Sequence, residues 1–301
     1  MRRLPTHDPA QPLDEPLDPR LSPDAGEITR PDDVPPVERL AGDPATGLIL
    51  LCDHASNALP PAYGSLGLPA EQLARHIGYD IGAAGVTRRL AQRLGCPAVL
   101  SCFSRLLIDP NRGEDDPTLV MRISDGAIIP GNRHADAAEI ERRIARFHRP
   151  YHEAIGAEID AALAAGVIPA ILSMHSFTPV WRGLARPWHA AVLWDADPRF
   201  TRELIDALEA PGDLIVGDNE PYDGALKGDC LYRHATRRGL ASTLLEIRQD
   251  LIADEDGQEE WAERLAGLLP AILQGEALHR IEWHGSRTGP VAPIYPPDTL
   301  A

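Results

Sequence analysis

The chain has 301 residues, 44% apolar and 25% charged, the make-up of an ordinary globular protein with room for one sizeable α/β core or two small ones. Its formal net charge of −16 speaks against a nucleic-acid or anionic-membrane surface, but not against a small anionic substrate, since a local arginine cluster outweighs distant, screened charge. No apolar run reaches the ~18 residues of a membrane span, and Met1–Pro5 leads into acids and prolines, so neither a span nor a signal peptide is expected.

Residues 1–42 are rich in Pro, Asp and Glu, without helical or strand period. They read as an extended or disordered arm. A single α/β domain is expected over 43–275, followed by an extended Pro-rich tail over 276–301.

The first strand is expected at 47–53, an apolar run that turns abruptly polar at Asp53-His54-Ala-Ser56-Asn57. A helix start follows at Pro69–Ile77. A second, amphipathic helix spans Ala83–Leu94 and is ended by Gly95. Pro97–Ser101 is a strand, which makes a parallel β-α-β unit. Ser104–Ile108 is strand-like and leads into the turn Asp109-Pro-Asn111-Arg112. An irregular polar segment, 113–135, is long enough to be functional.

A long helix is expected from Ala137 to about Leu163, kinked or divided at Pro150. Strands are expected at Ile168–Phe177, Trp188–Asp195, Leu214–Val216 and Thr243–Leu251, and helices at Arg199–Leu208 and Glu259–Leu273. The alternation of strands and helices predicts a three-layer α/β domain, its central sheet mostly parallel or mixed, with helices on both faces. Cys52, Cys96, Cys102 and Cys230 lack C-x-x-C spacing and read as buried free thiols of a reducing, cytoplasmic compartment.

Three of these strands end in His54, His175 and Glu246. Parallel strands bring such ends to one crevice. Two neutral imidazoles and an oxygen donor suit Zn2+ with an open position, and a nearby carboxylate can take a proton from water. Arg105 and Arg112 flank Asn111, and Arg248 lies two residues after Glu246, on the same strand face. Guanidinium groups suit a carboxylate. A G-x-S-x-G elbow, nucleotide-binding glycine loops and H-E-x-x-H are all absent.

Seven ordered blocks carry a resemblance. They are Cys52-Asp53-His54-Ala-Ser-Asn57, His76-Ile-Gly-Tyr79-Asp80-Ile-Gly82-Ala, Ser104-Arg105 with Asp109-Pro-Asn111-Arg112, Pro150-Tyr151-His152, Met174-His175-Ser176-Phe177, Asn219-Glu-Pro-Tyr222 and Glu246-Ile-Arg248-Gln-Asp250. Over residues 47–273 the chain resembles the N-formylglutamate amidohydrolase family. The resemblance implies a zinc-carboxypeptidase-like fold, a mixed sheet sandwiched by helices. It implies hydrolysis of N-formyl-L-glutamate to formate and glutamate, a late step of histidine breakdown. It also implies His54 and His175 as zinc ligands, Glu246 as base and Asn111-Arg112 as the carboxylate grip. The position three after His54 is Asn57 rather than the Glu of the related carboxypeptidases. The third ligand is therefore Asp80, the preferred choice, or Asp53, or Asn57 through its carbonyl. Arg105 is assigned to the oxyanion; Tyr79, Tyr222 and Arg248 are candidates for the side-chain pocket. The expected substrate is a small N-formyl or N-acyl amino acid. The alternatives are a deacylase or carboxypeptidase on another N-acyl amino acid, or a small-molecule-binding protein on the same fold.

Overall fold

The computed structural model describes residues 33–294, and the reading of an N-terminal arm lies outside them over residues 1–32. Two compact units divide the chain at Asp33/Val34, and the second holds everything described below.

Strand β1 (Val37–Leu40) opens the sheet, and β2 (Leu48–Cys52), buried at every position, follows. Helix α1 (Ala83–Leu94) buries Val86, Leu90 and Ala91 along one stripe and stops at Gly95, whose φ of 66° is left-handed. Next come β3 (Ala98–Ser101), α2 (Ala137–Arg143) and α3 (Arg149–Ala164), the two helices joined by a π-helical turn over Ile144–His148. Pro150 is the second residue of α3, directly after the π-turn, so its missing N–H falls in a continuous helical run at the place where the ladder is divided. Then follow β4 (Ala170–Phe177), β5 (Ala190–Leu193), α4 (Arg199–Glu209) and β6 (Val216–Asp218). The chain ends with α5 (Cys230–His234), β7 (Ser242–Arg248) and α6 (Glu255–Ile272), which is capped by Asp254.

The sheet runs β1-β3-β2-β4-β7-β5-β6. The four strands β3, β2, β4 and β7 are mutually parallel. β1 is antiparallel to β3, and β5 is antiparallel to β7 with β6 parallel to β5, so the sheet is mixed. Side-chain alternation sends Leu48, Leu50 and Cys52 to the face covered by α1, α4 and α6. It sends Ile49 and Leu51 to the face covered by α3 and α5. This is the expected three-layer α/β arrangement.

Three elements differ from the sequence reading. β1 falls within the stretch read as an arm: it is an edge strand of four residues, with Val37, Glu38 and Leu40 half-buried and Arg39 exposed, and so short a strand shows no clear alternation. The helix expected at Pro69–Ile77 is a single turn, Ala70–Leu73. Ser104–Ile108 is not a strand. Leu106, Leu107 and Ile108 are fully buried, but in two satellite clusters with Phe103, Leu119, Ile129 and Phe147, beneath the 113–135 segment. Asn132 ties that segment down by donating to the carbonyls of Leu106 and Met121 at 2.7 Å each, and it accepts from the buried Arg143. The segment is thus a platform with its own apolar core.

Candidate active site

The carboxyl ends of the parallel strands carry the polar groups. His54 follows β2 by two residues, His175 lies near the end of β4, and Glu246 on β7 stands opposite His175 in the parallel register. Asp80 comes from the turn before α1. Gly82 in that turn has φ +82°, and a Cβ there would lie 2.1 Å from the Ile252 carbonyl oxygen, so only glycine fits.

His54, Asp80 and His175 are all buried, and one donor atom from each lies within 4.8 Å of the others. His54 Nε2 donates to Asp109 Oδ1 at 2.8 Å, and His175 Nε2 donates to Asp53 Oδ2 at 3.0 Å. A carboxylate only accepts, so the Nε2 atoms carry protons towards Asp109 and Asp53, and the two Nδ1 atoms point inward. Both inward nitrogens face the same oxygen: Asp80 Oδ2 is 2.9 Å from His175 Nδ1 and 3.4 Å from His54 Nδ1. His54 Nδ1 is buried and has no hydrogen-bond partner. Asp80 Oδ2 is thus bonded to His175 Nδ1 through a proton, in a place that a cation shared with His54 Nδ1 can take over. The two-nitrogen, one-oxygen donor set with carboxylates behind both imidazoles fits a zinc ion.

Electrostatics point the same way. Burial alone would push Asp53 up, but the hydrogen bond and charge of His175 outweigh it and hold the carboxyl at about 2. Burial likewise works against a charged His175, yet Asp53 and Asp80 hold its pKa well above the usual histidine range. The pocket thus attracts positive charge strongly enough to keep a proton on a buried imidazole.

Asp53 is fully occupied in this task. Its Oδ1 accepts from Tyr151 on α3 at 2.8 Å, and its Oδ2 accepts from Ser173 at 3.0 Å as well as from His175. Asn57 donates its side-chain N–H to the Leu73 carbonyl. Of the two carboxylates open from the sequence, Asp80 lies inside the converging donor set and Asp53 does not.

Glu246 is the fourth group. Its Oε2 is buried and has no hydrogen-bond partner. Burial pushes its carboxyl up to about 7, against the pull of His175. A carboxyl poised there can accept and return protons near neutral pH.

These groups open into a cavity of about 370 Å³ lined by His54, Asp80, Arg105, Asn111, Arg112, His175, Tyr222 and Glu246, among others. Arg105 Nη2 donates to Asp109 Oδ2 at 2.9 Å, and its Nη1 is 3.6 Å from Asp80 Oδ1. Arg112 keeps looser ion pairs, 3.9 Å to both Asp109 and Asp116. Asn111 is fixed by its Oδ1, which accepts from the Cys230 N–H at 2.9 Å.

Two predicted residues are not among those lining the cavity. Tyr79 is one. Arg248 is the other: it closes β7, and its guanidinium is taken by Asp250 at 2.7 Å and by the carbonyls of Arg186 and Trp188. Arg248 is still paired in register with Phe177, but its long side chain is drawn to Asp250 and to the carbonyls at the strand end, while Gln249, in the following 3-10 turn, lines the cavity.

The sequence reading gave no role to Asp109, Asp229, Gln249 or Ser173. Asp109 was visible in the Asp-Pro-Asn-Arg turn, but no sequence signal connects it to His54. A second buried group, His152, Cys230 and His234, also has close donor atoms. There His152 Nδ1 and His234 Nε2 bond each other at 2.8 Å, His152 Nε2 meets His148 Nε2 at 3.2 Å, and His148 Nε2 donates to the Arg112 carbonyl at 2.9 Å. The histidine chain props the backbone of the cavity wall.

The family model of N-formylglutamate amidohydrolase matches residues 46–253. Among solved structures, a gene product of Agrobacterium tumefaciens is similar at 34% identity and TM-score 0.74, over 80% of this chain and 95% of that one. An N-formylglutamate amidohydrolase from Ralstonia eutropha JMP134 shares the fold at 20% identity and TM-score 0.62, over 80% of this chain and 98% of that one. No protein of curated function matches. No helix among the described residues is long and apolar enough to cross a membrane.

Proposed function

The chain belongs to the N-formylglutamate amidohydrolase family, and on that basis we propose that it is a zinc-dependent hydrolase that splits the formamide bond of N-formyl-L-glutamate into formate and glutamate. The carrying observation is the convergence of His54 Nδ1, His175 Nδ1 and Asp80 Oδ2 in one cavity with Glu246, whose buried Oε2 has no hydrogen-bond partner.

His54, Asp80 and His175 would hold the metal. A zinc ion there would acidify a water molecule and polarise the formyl carbonyl. Glu246 takes the proton from the attacking water and passes it to the departing amine, the task that a carboxyl near 7 suits. Arg105, next to Asp80, offers N–H donors to the developing oxyanion. Asn111 and Arg112 hold the α-carboxylate, which fixes the formyl carbon over the water. Asp53 and Asp109 keep both imidazoles in the tautomer that turns Nδ1 inward.

A panel of N-formyl-, N-acetyl- and peptidyl-glutamate tests the reaction class. Formate release from the first, with little turnover of the others, is the expected outcome. Preferred cleavage of the acetyl or peptide compound would transfer the site to a deacylase or carboxypeptidase.

A further inference from the structure

The reading above leaves the substrate's second carboxylate without a receptor, because Arg248 is committed elsewhere. Arg186 lies directly behind the cavity wall, packed on wall residues rather than lining the cavity itself. Arg186 follows the short hairpin Val180–Trp181/Leu184–Ala185 and is 9% exposed. Its guanidinium lies over the rings of Tyr222 at 5.0 Å and of Phe177 and Trp181 at 5.6 Å each. Nη1 donates to the Thr178 carbonyl at 3.3 Å and to the Thr178 hydroxyl at 3.2 Å. Phe177, Thr178 and Tyr222 all line the cavity.

Among the described residues no carboxylate pairs with Arg186, whereas Arg105 is paired with Asp109 and Asp80. A buried cation without a counter-ion is unfavourable, and aromatic faces offset only part of that. The rings lie 5.0–5.6 Å from the guanidinium carbon, and the N–H groups meet only neutral oxygens, those of Thr178 and the Tyr222 hydroxyl, whereas a carboxylate would supply the missing charge. A walled-in guanidinium with its N–H groups uncommitted to any acid is a receptor awaiting an anion. Resting on the amidohydrolase reading, we propose that Arg186 binds the side-chain carboxylate of the substrate and so selects N-formyl amino acids with acidic side chains over neutral ones. Tyr222, which lines the cavity and contacts Arg186, would flank the same carboxylate.

The test uses isosteric pairs on zinc-loaded protein. Calorimetry compares glutarate with its monoamide, which differ by one charged end, on wild type, Arg186→Gln and Arg186→Lys. Formate release compares N-formyl-L-glutamate with N-formyl-L-glutamine. The wild type should favour the diacid by about 10–100-fold, the range of a hydrogen bond to a charged group. Arg186→Gln should erase the preference by weakening the diacid alone, and Arg186→Lys should restore part of it. Equal affinities for glutarate and its monoamide on the wild type, or a preference unchanged in Arg186→Gln, would overturn the inference even if formate is released. Loss of the glutarate preference in Arg186→Gln supports the receptor even if neither formyl compound is hydrolysed, an outcome that removes the formamide reaction instead.

Discussion

His175 and Glu246 are register partners on adjacent parallel strands, so the proposed ligand and the proposed base leave the sheet on the same face, one strand spacing apart. Neither depends on a flexible loop for its position. Glu246 is held beside the proposed metal ligands by the most extensively paired strands among those described.

The first consequence concerns Glu246. Glu246→Gln keeps the size of the side chain and removes the proton acceptor. It should lower kcat by about 10²–10⁴-fold, the usual reach of a general base, and leave zinc content at one per chain. Metal analysis alongside steady-state kinetics separates the two effects. A variant with most of its activity would remove Glu246 from the mechanism.

The pH profile follows from the same residue. Glu246 must be ionised to accept a proton, and burial raises its pKa to about 7. The rate should therefore fall as pH drops through the ionisation. Bound zinc, a neighbouring cation, favours the ionised form, so in the loaded enzyme the midpoint of kcat/KM should lie below that value. A rate independent of pH from 5 to 8 would contradict this.

Asp53 and Asp80 both contact His175 but should respond differently. Asp80→Asn removes a ligand and should abolish stoichiometric zinc binding. Asp53→Asn leaves three ligands in place and loosens the orientation of His175; zinc affinity should fall by about 10–100-fold, as for other partners of metal-bound histidines. Competition with a chromophoric chelator measures both. Equal losses in the two variants would mean that Asp53 is itself a ligand.

Much of this site was legible in the sequence, because apolar runs that end in His54, His175 and Glu246 mark buried strands and the chemistry at their ends. Which strands lie side by side was not legible, since pairing depends on contacts between distant segments. The same limit hid the roles of Asp53 and Asp109. An acid beside a histidine in sequence looks like a ligand, and only the fold shows that Asp53 reaches the far nitrogen of His175. Arg248 misled because a shared strand face does not fix where a long side chain's guanidinium goes, and Asp250 takes it. Arg186 was invisible for a further reason: its meaning lies in the acid it lacks.

Asp229 supplies a stability prediction. It lines the cavity and caps α5 by accepting from the Tyr232 N–H at 2.7 Å, and burial raises its pKa from 3.8 to about 7. Between those values the folded protein keeps a proton that the unfolded chain releases, so stability falls as pH rises. Asp229→Asn retains a capping oxygen and is never ionised. Its melting temperature relative to wild type should climb from pH 4 to 7 and then level off. A constant difference across that range would contradict the assignment.

The most direct test of the account is formate release from N-formyl-L-glutamate by the purified protein, before chelation, after chelation and after zinc is restored. Activity that disappears with the metal and returns with zinc is the predicted result. Release that persists after metal analysis shows the protein to be zinc-free would contradict the central claim that His54, Asp80 and His175 work through a bound metal.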